Sequence, residues 1–318
     1  MFLGIDTSCY TTSLAVVDKS KQLLAEKRII LPVTMGEQGL RQSTALFYHL
    51  QNLPRALQLL FSELKIPEIK AIGVSARPLP RENSYLPVFV AGLSLAESLS
   101  VVGDIPLVQT SHQEGHIVVG IWACEKEPGE EFLALHLSGG TTELLLVREK
   151  EQHPLKYESK VLGASEDIHA GQLVDRVGVA LGLPFPAGRY LEKLAAQVEH
   201  KSEIRIPSAV QGYQISFSGA ETQAKRFLQQ GVSPPEIARA VENCLAVTVE
   251  KVVRKAIEET GVKKVLFVGG VMANTYLRQR LKKRLTHPAV NAQLYFPQPK
   301  FNSDNAIGVS LIARSAVF

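Results

Sequence analysis

One pattern, used twice, limits what this chain can fold into. It is a short apolar strand, a small and hydroxyl-rich tip, and an apolar strand that returns at once. The first copy opens the chain, with strand residues 2–5, the tip DTSCYTTS and the strand SLAVVD. The second begins near Glu131, where FLALHLSGG runs into TTELLLVRE. Each reads as a hairpin with a polar tip, and each is followed by strands alternating with helices, the pattern of a layered α/β lobe. No residue-level repeat is visible; the repeat is architectural. It predicts two related α/β lobes facing a cleft, and 318 residues suffice for two cores of ordinary size.

Between and after the hairpins the periodicities fill in the lobes. A third strand over 23–30 completes a meander. Leu46, Leu50, Leu53, Leu57 and Leu60 recur at helical spacing, which predicts one or two helices over 40–64. KAIGVSA reads as a buried strand, ARPLPRENSYLP as a proline-rich loop, and VFVAGLSLAESLS as a helix. IPLVQTS is a strand leading into a further helix with Ser111 at its N-cap position. Residues 167–198 are predicted helical, broken at Gly-Leu-Pro and Pro-Ala-Gly. A helix over 235–260, the strand KKVLFVGGV, a helix over 274–285, the strand QLYFPQP and a closing helix after Asn302 complete the reading. The expected lobes are 1–125, joined by 295–318, and 126–294.

Composition narrows the class. Apolar residues make up 45% and charged residues 21%, which excludes a disordered chain, and no apolar run is long enough to span a bilayer. The start reads as strand and turn rather than as a leader peptide. Cys9, Cys124 and Cys244 are odd in number and far apart, which argues against a disulfide framework or a thiolate zinc site and fits a reducing, cytoplasmic setting. The net charge of +4 permits a local basic patch without requiring one.

The chemistry concentrates in a few places. His112 and His116, in SHQEGHIVVG, lie four apart, so a helix places both imidazoles on one face, close enough for one metal ion. Two solvated or core histidines have the same spacing, and spacing alone leaves both readings open. Asp304, in FNSDN, is a candidate third ligand. The tips DTSCYTTS and LSGGTTE and the loop VGGVMAN are rich in glycine and hydroxyls, so backbone N–H groups can approach a phosphate closely. A tight turn explains any one of them; three in this order favour a nucleotide.

That order resembles the superfamily of actin, sugar kinases and heat-shock chaperones, in which two ribonuclease-H-like lobes clamp ATP. Within it the chain is most similar to the TsaD family of tRNA threonylcarbamoyladenosine synthases. GIDTSCYTTSLAVVD, HQEGHI, LSGGTTELLLV, GQLVDRVGVALGLPFPAGRYLEKLA, ISFSGAETQ, FVGGVMANTYLR and FNSDNA carry the resemblance. It implies that His112, His116 and Asp304 hold one divalent metal, iron or zinc. It implies that His136, Leu137, Ser138, Gly139 and Gly140 line the phosphate and carbamoyl region, with Ser138 and Asp304 as catalytic candidates. Asp175 would bond the ribose, and Gly188 and Asn274 would bracket the nucleoside. Without the resemblance, Asp175 reads as a solvated helix carboxylate and Asn274 as an N-cap. The implied ligands are ATP or an adenylate, with Mg. The implied partners are tRNA and proteins like TsaB or TsaE, or a second copy of the chain. The implied reaction carries a threonylcarbamoyl group from its AMP anhydride to N6 of an adenosine.

The chain departs from the family pattern where acids surround the phosphates. The opening GIETSCDET has Tyr10 and Thr11 in place of its Asp-Glu pair, and AGPGLVGAL is replaced by a stretch carrying Arg77, Arg81 and Glu82. DDAAGEAFD reads DIHAGQLVD, with Ile168 and Gln172 for acids, and SGGHTQ reads SGGTTE, with Thr141 and Glu143. Binding groups are kept and acids are lost, the pattern of a divergent paralogue. Two rival readings follow: a small-molecule carbamoyltransferase, or a degenerate scaffold partner of a true TsaD. A zincin peptidase is not supported, because Gln113 stands where HExxH has its glutamate.

Overall fold

The structure is a computed structural model that describes residues 1–64, 68–150, 157–198 and 204–318. Its first sheet is built from β1 (Phe2–Asp6), β2 (Thr11–Val17), β3 (Leu23–Ile30), β4 (Ala71–Arg77) and β5 (Leu107–Ser111), in the order β3-β2-β1-β4-β5. The second contains β6 (Glu131–Leu137), β7 (Thr142–Glu149), β8 (Tyr157–Ala164), β11 (Lys264–Val268) and β12 (Gln293–Tyr295), in the order β12-β11-β6-β7-β8. Each is an antiparallel meander extended by two parallel strands. The fold is therefore α/β with one sheet topology used twice, as the paired hairpins predict.

The repeat is closer than the sequence suggests. Asp6 pairs with Ser13 and Ile5 with Leu14 in the first hairpin; His136 pairs with Glu143 and Leu135 with Leu144 in the second. Hairpin length and register are the same, so Asp6 and His136 occupy equivalent places at the tips of equivalent strands. Side chains alternate across a strand. Leu3 and Ile5 therefore face the core under α1 (Gln42–Glu63) and α2 (Val88–Gly103), while Phe2 faces the opposite core. In β6, Leu133, Leu135 and Leu137 face the large core beneath α4 (Ala170–Ala180), α5 (Gly188–Ala195), α6 (Ser218–Gln229), α7 (Pro234–Thr260) and α8 (Thr275–Leu285). Phe132 and Ala134 face the other way.

The remaining two helices lie between the sheets. α9 (Ile307–Val317) covers the first sheet through Ile307, Val309 and Leu311, packed with Phe2 and Ala15. α3 (His112–Trp122), although it follows the first sheet in the chain, packs Ile117 and Ile121 on Phe132, Ala134, Leu266 and Val268 of the second. The fit is backbone-close. A Cβ on Gly4 would meet Ala306 O at 2.2 Å, and one on Gly308 would meet Gly115 O at 2.0 Å.

The structure sharpens some local expectations and adds elements to others. Residues 42–63 form one helix despite Pro54, because the buried stripe Ala45, His49, Leu53, Ala56 and Leu60 runs through it. Pro54 has no N–H to offer the carbonyl of Leu50, a residue that is 51% exposed rather than buried. Strand β8 was not legible, since its residues are mostly half-exposed and carry no clean alternation. The short hairpin of β9 (Ala209–Gln211) and β10 (Gln214–Ser216) was also missed. The 167–198 region contains two helices, α4 and α5, separated by the expected Gly-Leu-Pro break; α7 ends at Gly261, which takes φ of +74°, a conformation suited to glycine.

Candidate functional site

Ser111 accepts a hydrogen bond from the Glu114 N–H while the Glu114 carboxylate accepts from the Ser111 N–H, so a capping box fixes the start of α3. His112 and His116 then project one turn apart into the layer between the sheets, both buried. Their Nε2 atoms lie 3.1 Å apart. Asp304 Oδ1 lies 3.4 Å from His116 Nε2 and 3.5 Å from His112 Nε2. The Asp304 loop is held by Asn305, which donates to Phe301 O and Ser303 O, and by the Ala306 N–H, which donates to Ser13 Oγ. The three ligand atoms fall within 4.8 Å of one another. Two ring nitrogens and a carboxylate oxygen aimed at one point suit a divalent cation.

Asp6 completes the arrangement and was not singled out from the sequence. It is fully buried and its Oδ2 lies 2.9 Å from His112 Nδ1. The same carboxylate accepts from the Ser8 N–H at 2.9 Å and the Ser75 hydroxyl at 2.5 Å. A carboxylate on Nδ1 fixes the tautomer that leaves Nε2 free to ligate. Burial disfavours a charged His112 ring, but Asp6 and Asp304 outweigh it and raise its pKa to about 10. His116 shifts downward, through burial and then through the charge of His112. His136 stands behind His116, with ring centroids 4.6 Å apart, and neither of its nitrogens has a hydrogen-bond partner. Burial lowers its pKa well below the ordinary range.

The glycine turn of the second hairpin sits beside this centre. Ser138 Oγ accepts from the Thr141 N–H at 3.0 Å and the Gly140 N–H at 3.3 Å, so the hydroxyl is engaged in holding its own turn. Gly139 and Gly140 are exposed, and a Cβ on Gly139 would meet open space. Leu137 contributes its side chain to the core. The start of α4 abuts the turn, with a Cβ on Gly171 only 2.5 Å from Gly139 N. At the end of β11, Gly269 takes φ of +94°, and a Cβ there would strike Leu137 O at 2.3 Å. Only glycine lets the third loop cross the second hairpin so closely.

Asp175 and Gly188 are brought together: Asp175 Oδ1 accepts from the N–H of Ala187, the residue before Gly188, at 2.7 Å. Burial raises the Asp175 pKa to about 6, and that hydrogen bond only partly offsets it. Asn274 caps α8, accepting from the Leu277 N–H at 2.9 Å, and donates to Glu242 Oε1 at 2.7 Å. Burial likewise raises the Glu242 pKa to about 7 against the pull of Asn274 and Arg239. The SFSG stretch serves Asp167, which accepts from the Ser216 and Ser218 hydroxyls and from the Phe217 and Ser218 N–H groups.

The structure places several of the departures from the family pattern. Tyr10 meets Phe185 edge-on, with centroids 4.8 Å apart, and so links the first hairpin tip to the loop before α5. Gln113 donates to Glu143 at 2.6 Å, both side chains buried. Arg77 and Arg81 are exposed. A cavity of about 210 Å³ between Pro80, α3 and β7–β8 includes none of the three candidate ligands.

Solved structures define the class. Component A of (R)-2-hydroxyglutaryl-CoA dehydratase from Acidaminococcus fermentans is 15% identical with a TM-score of 0.59, covering 100% of this chain and 99% of that one. A ROK family glucokinase from Streptomyces griseus, solved with glucose and AMPPNP, is 12% identical with a TM-score of 0.53 over 98% of this chain and 99% of that one. At such identities the likeness is one of fold, and it makes this an actin-like ATPase-fold protein. The sequence resolves it further. The family model described as tRNA N6-adenosine threonylcarbamoyltransferase matches residues 36–310. Two proteins of that name from Thermus thermophilus strains are 30% identical over 316 residues, 98% of this chain and 91% and 90% of theirs. The chain belongs to the TsaD family, a family of transferases. No helix among the described residues is long and apolar enough to cross a membrane.

Proposed function

We propose that this protein transfers a threonylcarbamoyl group from its mixed anhydride with AMP to N6 of an adenosine in tRNA, using one divalent metal held by His112, His116 and Asp304. The observation that carries the reading is the convergence of those three ligand atoms within 4.8 Å beside the Gly139–Gly140 turn. In the transfer, the N6 lone pair attacks the carbamoyl carbonyl carbon, the bond from that carbon to the phosphate oxygen breaks, and AMP departs as N6 loses a proton. The metal, iron or zinc, would supply Lewis-acid stabilisation of charge developing on oxygen.

The chain's own groups do the rest. Exposed backbone at Gly139 and Gly140, in the turn that Ser138 holds, receives the phosphate side of the adenylate. Asp175, on α4 with its carboxylate at the amino end of α5, receives the ribose hydroxyls, with Gly188 and Asn274 bracketing the nucleoside. Asp6 orients His112. The lobes of this reading are residues 1–125 with 295–318, and 126–294. ATP or an adenylate, with Mg, would be the bound ligand, and TsaB- or TsaE-like partners or a second copy of the chain would complete the assembly.

A second reading is favoured by one observation. The Tyr10–Phe185 contact puts an aromatic pair where the family has an acid, and an apolar surface there suits a small-molecule acceptor. One experiment separates the two. Untagged, metal-loaded protein is incubated with threonylcarbamoyl-adenylate and an unmodified tRNA transcript, and the digested nucleosides are analysed by mass spectrometry. Threonylcarbamoyladenosine, absent with His112→Ala, is the expected product. Its absence, with consumption of the adenylate in the presence of small amines or alcohols, would favour the second reading.

A further inference from the structure

We propose that α8 and the adjoining face of α7 form a docking ridge for an RNA backbone, leading outward from the cleft. The inference rests on the reading of tRNA as acceptor and adds where that acceptor is gripped. α8, TYLRQRLKKRL, carries five cations in eleven residues and no acid. At 1.5 Å per residue it extends about 16 Å from the Asn274 cap beside the third loop to its outer end. The helix begins just after the third loop, whose Gly269 lies against Leu137 O, and Asn274 caps it.

The charge along it is not neutralised by its neighbour. Arg280 and Arg284 lie on one face of α8, four residues apart, and meet Arg254 of α7 around a single carboxylate. Glu250 Oε1 lies 2.9 Å from Arg284 Nε and 3.6 Å from Arg254 Nη1, and Glu250 Oε2 lies 4.0 Å from Arg280 Nη2. Three guanidiniums thus share one negative charge that is itself buried, and their side chains remain 32–52% exposed. Arg280 Nε has no hydrogen-bond partner. Lys283 beside them is exposed, Lys282 is exposed on the opposite side of α8 with its ammonium 5.5 Å from the Phe296 ring centroid, and among the described residues neither forms an ion pair. Arg278 is committed elsewhere, to Met272 O and Pro297 O. The result is a row of guanidinium and ammonium groups with a net positive charge. A phosphate backbone, with one charge per nucleotide and no side-chain code to read, is the partner that such a row fits.

The test is binding of a fluorescently labelled, unmodified tRNA transcript, measured by anisotropy at several salt concentrations. Wild type is compared with Lys282→Glu/Lys283→Glu, and separately with Arg284→Gln. Affinity for an adenosine nucleotide is the check that each variant is folded and its cleft intact. Neither lysine forms an ion pair, and the one recorded side-chain contact the double variant gives up is that of Lys282 with the Phe296 ring. Expected are a loss of roughly tenfold or more in tRNA affinity for the double variant and a salt dependence shallower by about one power per phosphate contact removed, with nucleotide affinity unchanged. Wild-type binding to tRNA with both variants equally tight would overturn the ridge while leaving tRNA as the acceptor, and would turn attention to an acidic protein for this face. Failure of wild type itself to bind any tRNA would overturn both readings.

Discussion

At the scale of single residues, the site is legible where chemistry is local and silent where it depends on folding. The HxxxH spacing of His112 and His116 needs only a helix to bring the rings together. Asp6 gave no such signal, because a carboxylate inside an apolar strand is informative only once its partner, 106 residues away, is known. Its position does have one trace in the sequence: it stands in the first hairpin where His136 stands in the second. Asp6 bears on a prediction. Asp6→Asn removes the anionic acceptor of His112 Nδ1–H, and metal affinity should fall about 10–100-fold, as for other partners of ligating histidines. Competition titration with a chromophoric chelator measures it, and unchanged affinity would remove Asp6 from the site. Asp175 supports a second prediction. Its folded pKa of about 6 lies above the ordinary value near 3.9, so the folded state holds the proton longer than the unfolded one. Stability is therefore lost as pH rises from about 4 to about 6 and stays lost above. Asp175→Asn keeps an oxygen for the Ala187 N–H and cannot ionise. It should match wild type at pH 4 and exceed it by roughly 1–3 kcal/mol at pH 7.5 in urea unfolding. Equal stability at both pH values would mean that the carboxylate is better solvated than its burial implies.

At the scale of elements, the two hairpins and most helices follow from periodicity, whereas their partners do not. Nothing in the chain announces that α3, while keeping Val119 in the core of the first sheet, lays Ile117 and Ile121 on the second. Those choices are made by fit: Gly115 and Gly308 let the two helices touch backbone to backbone, and Gly4 and Gly73 let α9 lie flat on β1 and β4. The metal candidates depend on that crossing, since Asp304 immediately precedes α9 and the histidines are on α3. Gly308→Ala places a Cβ 2.0 Å from Gly115 O and must push the helices apart. It should destabilise the protein by about 1–3 kcal/mol and weaken metal retention along with it. Gly219→Ala on α6, where a Cβ meets nothing within 4 Å, is the matched control and should stabilise by about 0.4–1 kcal/mol. Thermal melts with metal analysis of the purified variants decide it. A Gly308→Ala protein that melts like wild type and retains full metal would show that the crossing has room to spare.

At the scale of the whole molecule, the candidate ligands draw on helices that answer to different lobes. α3 packs Ile117 and Ile121 on the second sheet while its Val119 joins the core that α9 builds on the first, so a cation shared by His112, His116 and Asp304 would tie the two halves through their innermost helices. A ligand bound only by the folded state stabilises it in proportion to the logarithm of its saturation, about 2.7 kcal/mol at a hundredfold excess over its Kd. For a protein of this size that corresponds to a rise of a few degrees in melting temperature. Chelation of the metal-loaded protein should lower the melting temperature by that amount, and re-addition of metal should restore it. His116→Ala removes a ligand from the centre without touching the Asp6–His112 contact, and its melting temperature should be the same with and without chelator. The comparison isolates the bridge from any general effect of chelator on the fold. A drop of equal size in wild type and variant would place the cation elsewhere. No drop in either would leave the convergence of the three side chains as packing between helices, held by Asp6 and the glycines alone.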